Sequence, residues 1–188
     1  PAELRVDATY NHVSCHGECD GFVTTTATGG TPPYTYLWDP YGETTDAIYN
    51  LCPGTYTLTV TDDHGCTTSV VRTITQPSML SYNSSSSDIT CNGDCDGTAA
   101  VYPFGGTPPY TYLWSPGGET TNGISNLCAD YYEVIITDDH GCTAVFGTTI
   151  TEPDALALNA GITHVACYDE YTGAIDLSVT GGTTPYSF

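Results

Sequence analysis

The sequence predicts an all-β chain, a tandem array of small β-sandwich modules, and three observations carry that prediction. The 188-residue chain repeats itself every 76 residues without slippage, so that Cys15, Cys91 and Cys167 fall in register, as do Pro1, Pro77 and Pro153, and Trp38 with Trp114. Close repetition of this kind marks tandem modules, here residues 1–76, 77–152 and a third copy over 153–188. Short segments alternate apolar and polar residues between Gly/Pro/Asp turns, and no stretch of useful length has a helical period.

Each repeat is read in chain order. Gly29-Gly30 and Pro32-Pro33 punctuate the chain before Tyr34, Tyr36 and Trp38, which line one side of a strand. A large Trp on a central strand, near a bridge joining two sheets, fills the middle of immunoglobulin-like sandwiches. Gly54 to Asp62 reads GTYTLTVTD, where Tyr56, Leu58 and Val60 alternate with threonines; Tyr132, Val134 and Ile136 do the same in the second copy. That is a strand with one face in water. It ends in Asp63-His64-Gly65, a turn in which glycine can take positive φ, and Cys66 to Thr75 returns as the next strand. Thr73-Ile74-Thr75-Gln76 then runs into Pro77 without a Gly/Ser hinge, so a stiff, rod-like array is expected. The third copy stops at Phe188, the counterpart of Tyr36 and Tyr112. A copy of that length cannot enclose a core alone. Two expectations follow: a longer array, or a third unit completed by strands from another chain.

There are 22 acidic residues against two basic ones, Arg5 and Arg72, and the formal charge is −20. Nucleic acid and anionic lipid surfaces are excluded as primary partners, since both are bound through Lys and Arg. Cations, cationic polymers and neutral glycans remain, beside the plain reading that the charge keeps the protein soluble. No apolar run approaches the roughly 20 residues that span a bilayer, so no membrane insertion is expected.

Four cysteines stand in each full repeat, Cys15, Cys19, Cys52 and Cys66, then Cys91, Cys95, Cys128 and Cys142. An even number in so small a module points to a disulfide-stapled domain in an oxidising, extracellular compartment. Four cysteines allow three pairings. The third copy keeps Cys167 but has Tyr171 where Cys19 and Cys95 stand, so the bridge using Cys19 is the dispensable one. This favours Cys15–Cys66 with Cys19–Cys52, and Cys91–Cys142 with Cys95–Cys128; Cys167 is expected to pair further along the array. Zinc is the competing reading of CxxxC near His64 or His140, but zinc-ribbon pairs are short knuckles and Cys52 and Cys66 are 14 apart.

No catalytic residues are expected. Acidic positions recur as Glu18, Asp20, Asp62 and Asp63, then Asp94, Asp96, Asp138 and Asp139. A Cys15–Cys66 bridge would gather these carboxylates at one end of the sandwich, where hard oxygen ligands suit Ca²⁺. Against that, Asp and Gly are ordinary turn residues that bond their own backbone. Paired carboxylates for glycoside hydrolysis lack a loop long enough to build a cleft, and His64 and His140 lack a nucleophile at any telling position. Asn83-Ser84-Ser85 is the one N-x-S/T sequon, a candidate glycosylation site at Asn83. Tyr41, Tyr49 and Tyr131 could stack on sugars or on a neighbouring subunit.

The pattern CxGxxDG, GGTPPYTYLW, LxxGTYTLTVTDxxGC and a closing TITQP resembles the SprB repeat, found in tandem in very large surface and secreted proteins of Bacteroidota. It is similar to the wider polycystic-kidney-disease (PKD) and immunoglobulin-like group of sandwich modules. The resemblance implies export to the cell surface, often by the gliding-associated type IX route, and roles in adhesion or motility. It also implies pairing of the cysteines that match Cys15 and Cys66. Copy two departs from the pattern at Ala129-Asp130-Tyr131, where copy one has Pro53-Gly54-Thr55. Two functions remain: a structural repeat of an extracellular fibre or adhesin stalk, partnered by neighbouring repeats and other copies of the chain, or carbohydrate-binding or spacer modules of a secreted enzyme. The near-identical copies and tight junctions favour the first.

Overall fold

The computed structural model describes residues 2–169 and 171–187, so Pro1 and Phe188, both used in the sequence register, lie outside the described residues. Fourteen strands and no helix are found among the described residues. The chain divides into two compact units. The first comprises Pro1–Ser81 with Phe104–Tyr110 and Thr137–Thr143; the second comprises Tyr82–Pro103, Thr111–Ile136 and Ala144–Phe188.

In the first unit, β1 (Arg5–Asn11), β2 (Gly21–Thr28) and β4 (Ala47–Leu51) form one antiparallel sheet in the order β1-β2-β4. The other sheet, in the order β3-β5-β6, takes β3 (Thr35–Asp39), β5 (Gly54–Thr61) and β6 (Thr67–Ile74). Between the sheets lie Val23 and Ile48 from one side and Trp38, Tyr56, Leu58, Val60 and Ile74 from the other, all buried. The alternation along β5 explains the packing, because Tyr56, Leu58 and Val60 face inward while the threonines between them stay half-exposed. The polar tips of the Trp and Tyr in this core find partners. Trp38 Nε1 donates to Thr45 O at 2.9 Å and the Tyr56 hydroxyl to Cys52 O at 2.8 Å.

The second unit repeats the design with β7 (Ser81–Ser87), β8 (Gly97–Phe104) and β10 (Gly123–Leu127) in one sheet, and β9 (Thr111–Ser115), β11 (Asp130–Thr137) and β12 (Thr143–Ile150) in the other. Trp114, Val134, Ile136 and Ile150 are fully buried, and Trp114 Nε1 donates to Thr121 O at 2.9 Å. At the departure over 129–131, β11 starts at Asp130, in register with Gly54 of β5. The Tyr131 ring lies where a side chain on Gly147 would be, a Cβ there meeting its hydroxyl at 2.1 Å, so Gly147 accommodates the larger residue. The third copy contributes the hairpin β13 (Ala157–Thr163) and β14 (Ala174–Thr180), whose Leu158, Ile162 and Ile175 are exposed.

Both full copies are immunoglobulin-like β-sandwiches, with a Trp packed between two three-stranded sheets. A short irregularity in β4 and β10 recurs at Asn50 and Asn126, both at positive φ, a conformation Asn tolerates better than most residues.

Candidate functional site: the cysteine clasp

The pairing along β5 and β6 sets the geometry of the cysteines. It runs from Gly54↔Ile74 at one end to Thr61↔Thr67 at the other, seven residue steps or roughly 23 Å at the rise of a strand. The two ends are called here the distal and the proximal pole.

Cys15 sits at the distal pole, in the loop between β1 and β2. Val13 N donates to Thr75 O at 3.0 Å, Gly17 N to the Gln76 side chain at 2.8 Å, and His16 Nδ1 lies 3.1 Å from Pro77 O. Cys19 and Cys52 share that pole and are bonded, with Cα atoms 4.0 Å apart; Cys95 and Cys128 form the matching bridge at 4.1 Å.

Cys66 closes the turn at the proximal pole. The Cys15–Cys66 and Cys91–Cys142 pairs expected from the sequence are therefore absent, because the two members of each stand at opposite ends of a strand pair and a disulfide needs Cα atoms within about 7 Å. Cys15 is bonded instead to Cys142, with Cα atoms 5.7 Å apart and a separation of 127 positions in sequence. The bond joins the first copy to the turn over 138–142 of the second. Cys66, Cys91 and Cys167 are exposed free thiols.

The short connection explains why Cys142 and not Cys66 arrives at Cys15. Pro77 and Gln76 are held against the Cys15 loop, and one residue further on Ser78 O accepts from Gly106 N at 2.8 Å. Gly106 belongs to the second copy's proximal pole, where Thr107 N donates to Asp138 Oδ2 at 2.8 Å. The same contact brings His140 Nδ1 to 3.2 Å from Ser14 O and to 3.3 Å from the Thr107 hydroxyl. An open groove of about 400 Å³ lies beside the bridge, lined by His16, Glu18, Met79, Leu80 and Thr143 with the two half-cystines.

The eight acidic residues divide the same way. Asp20 is at the distal pole, where its carboxylate accepts from Ser14 N at 2.9 Å and makes a short bond with the Ser14 hydroxyl. Asp96 does the same with Thr90. These hydroxyl and amide donors hold both carboxyls below their ordinary range, with His140 adding to the effect at Asp20. Asp62 is at the proximal pole, buried, with Oδ1 accepting from Cys66 N at 2.8 Å and His64 N at 3.0 Å, and Oδ2 from Thr31 N at 3.0 Å. Those amide donors lower its pKa, Cys66 first and Thr31 next. Asp138 is buried too, and binds the corresponding amides of Cys142, His140 and Thr107.

The expected gathering of Glu18 and Asp20 with Asp62 and Asp63, and of Asp94 and Asp96 with Asp138 and Asp139, is thereby overturned, since each set is split between two poles. Among the described residues no group of three or more His, Cys, Asp or Glu side chains could hold a metal ion. Four of the eight carboxylates instead serve as turn acceptors. Glu18, Asp63, Asp94 and Asp139 are exposed. Asn83 lies on β7 with an exposed side chain.

Tyr41 and Tyr49, both more than half exposed, flank a groove of about 270 Å³ on the first copy with Glu43 and Asn50. Tyr41 packs against Tyr56 at 5.8 Å between ring centroids, and burial, with Tyr41 second, pushes the Tyr56 phenol up to about 12. The second copy has Gly117 and Ser125 at these two positions.

Fold and clasp define a class: tandem β-sandwich modules with disulfides both inside and between copies. The family model described as the SprB repeat matches residues 8–42, 83–119 and 159–188, the corresponding stretch of three successive copies and more than half of the chain. The chain belongs to the SprB repeat family. Among solved structures, a chain from the study "Structural basis for Dscam isoform specificity" is similar at 14% identity with a TM-score of 0.32, covering 76% of this chain and 42% of that one. This chain thus spans less than half the length of that relative. No curated protein matches it.

Proposed function

We propose that the chain is a structural repeat segment of an extracellular fibre or cell-surface adhesin, a disulfide-stapled stalk. The single observation that carries this reading is the Cys15–Cys142 bond between successive copies. A bridge inside a module stabilises that module; a bridge between modules holds the array together, which is the property a stalk needs. Three disulfides fit an oxidising compartment outside the cell. The −20 charge suits a solvated surface that repels its own kind except where modules dock. Its partners are then neighbouring repeats and other copies of the chain.

The test is electron microscopy of the native protein prepared without reductant, with immunolabelling on intact cells. Labelled surface filaments with a regular axial period support the reading. Label confined to the cell interior, or dispersed particles with no filament, overturn it.

A second reading, that the modules bind carbohydrate, is favoured by one specific observation, the Tyr41/Tyr49 groove on the first copy. Aromatic faces beside a carboxylate and an amide are suited to stacking and hydrogen bonding with a sugar. Glycan binding abolished by Tyr49→Ala would support it; binding that survives the change, or no binding to any glycan, would sink it.

A further inference from the structure

We infer that Cys66 and Cys91 are half-cystines of further module-to-module disulfides, each made with a cysteine that another SprB module presents in the register of the Cys15–Cys142 bond. The inference rests on the stalk reading and names the partner that the clasp takes.

The first support is the bonded pair itself. Cys91 is the register counterpart of Cys15, and Cys66 the counterpart of Cys142. Cys66 stands on a turn whose carboxylate and three amides match those under Cys142, hydrogen bond for hydrogen bond. Both thiols are exposed. The backbone at Cys91 matches too, Asp94 N donating to Cys91 O at 3.1 Å as Glu18 N does to Cys15 O at 3.1 Å.

The second support is independent of the cysteines. Around Cys91 the second unit reproduces the contacts that bring Cys142 to Cys15. Gly93 N donates to the Glu152 carboxylate at 2.8 Å, as Gly17 N does to Gln76, and Asn92 Nδ2 donates to Pro153 O at 3.1 Å where His16 meets Pro77 O. Gly182 N donates to Asp154 O at 2.7 Å, as Gly106 N does to Ser78 O. The Thr183 hydroxyl lies 3.5 Å from Thr90 O, so the third copy's proximal pole already touches the Cys91 loop. Beside it is an open cavity of about 650 Å³, lined by Cys91, Leu156, Leu158, Val179 and Tyr186.

The occupant follows from the two full copies. There, the sheet made by β1, β2 and β4 is covered by the sheet of β3, β5 and β6, which carries the DDHGC turn. The hairpin β13–β14 corresponds to β1–β2, and its Leu158 and Ile175, the counterparts of Val6 and Val23 that pack in the first copy's core, are uncovered. A second sheet of the same kind covers them and in doing so delivers a turn cysteine to Cys91. Its source is either a module of the same polypeptide or a second copy of the chain; the chemistry at sulfur is the same.

Each bond forms by thiol–disulfide exchange with a disulfide oxidant of the secretory or extracellular space, an oxidised dithiol oxidoreductase or a small-molecule disulfide. A thiolate attacks the oxidant's disulfide and one thiol leaves; the partner thiolate then displaces the second. One S–S bond is made, two protons are lost from the cysteines, and the oxidant is reduced to two thiols.

The experiment is disulfide mapping of the native protein, alkylated before lysis, digested without reductant and read by mass spectrometry beside a non-reducing gel. The expected result is that Cys66 and Cys91 resist alkylation and appear in cross-linked peptides. Cys91 joined to a DxxGC peptide outside this sequence, with no change of size on reduction, assigns the partner to the same polypeptide. Cys91 joined to Cys66, with a ladder that collapses on reduction, assigns it to a second copy. Full alkylation of Cys66 and Cys91 with Cys15–Cys142 intact overturns the inference and leaves the stalk reading standing. Cys15 found with Cys66, and Cys91 with Cys142, overturns both.

Discussion

The turns over 62–66 and 138–142 have one sequence, DDHGC, and one conformation, yet one ends in a free thiol and the other in a disulfide. Asp62 and Asp138 each accept from the amides at the following second and fourth residues and from the threonine amide across the pole. The local structure is complete without the bond. The turn chemistry therefore builds the platform, and whether the cysteine on it is bonded is decided by what the preceding module's loop brings within reach.

Breaking the bond should separate the two turns most sharply. With its ends 127 positions apart in sequence, the Cys15–Cys142 bridge restricts the unfolded chain by about 5 kcal/mol on the chain-entropy model. Cys142→Ser paired with Cys15→Ser is expected to lose stability on that scale in urea unfolding without reductant. Cys66→Ser, the same change on the same turn, is expected to stay within about 0.5 kcal/mol of the parent, as exposed substitutions do. Equal losses would show that the two turns do not differ in the way described.

A change beneath both turns should erase the difference. Gly29 and Gly105 sit at positive φ, and a Cβ on either would lie 2.0 or 2.1 Å from the backbone oxygen of Glu3 or Met79. Gly29→Ala and Gly105→Ala are each expected to destabilise by about 2–5 kcal/mol, from strained backbone plus displaced chain. A clear disparity between the two, measured by thermal unfolding, would mean that the bridge supports one pole.

Smaller again is the tyrosine tie at each pole. The Tyr34 hydroxyl donates to Gly29 O at 2.5 Å and Tyr110 to Gly105 O at 2.6 Å. Tyr34→Phe and Tyr110→Phe should each cost about 1–2 kcal/mol in urea unfolding, the range for a part-buried hydrogen bond.

Acid gives a graded test. Asp20, Asp62 and Asp96 have folded pKa values below their unfolded ones, so their contribution is fully present above the unfolded value of about 4 and is lost as pH falls through the depressed folded values. Stability should be flat near neutrality and fall below about pH 4, and Asp62→Asn should flatten that fall. The least effect is expected from a calcium chelator, which should leave the urea midpoint unchanged. A fall in the midpoint would locate a cation among carboxylates that the structure assigns to backbone amides.

The strands richest in alternating apolar residues were the ones open to reading. β3 and β5 follow directly from Tyr36 and Trp38, and from Leu58 and Val60, at every second position. β7 was hidden, because Ser81–Ser87 is SYNSSSS, a run whose composition speaks of loops and glycans while its edge pairing makes it a strand. The clasp was missed for a different reason. Register showed which cysteines correspond but not which pole each occupies. The signal was present: Cys52 and Cys66 are separated by the single strand Gly54–Thr61, and Cys19, only four residues from Cys15, pairs with Cys52. Cys15 had then to stand a strand's length from Cys66, with its partner in another copy.

The placement of that bond has a mechanical meaning. Tension applied through the chain on either side of the clasp crosses from Cys15 to Cys142 through sulfur, and the stretch bracketed by the bond, whose ends are 127 positions apart in sequence, carries none of it. In a pulling experiment, reduction should release a hidden contour length of roughly 400 Å, at about 3.3 Å for each extended residue. The ladders among strands inside the bracket, from β2 to β11, stay out of the line of force, while β1 and β12, which lie outside it, bear the load.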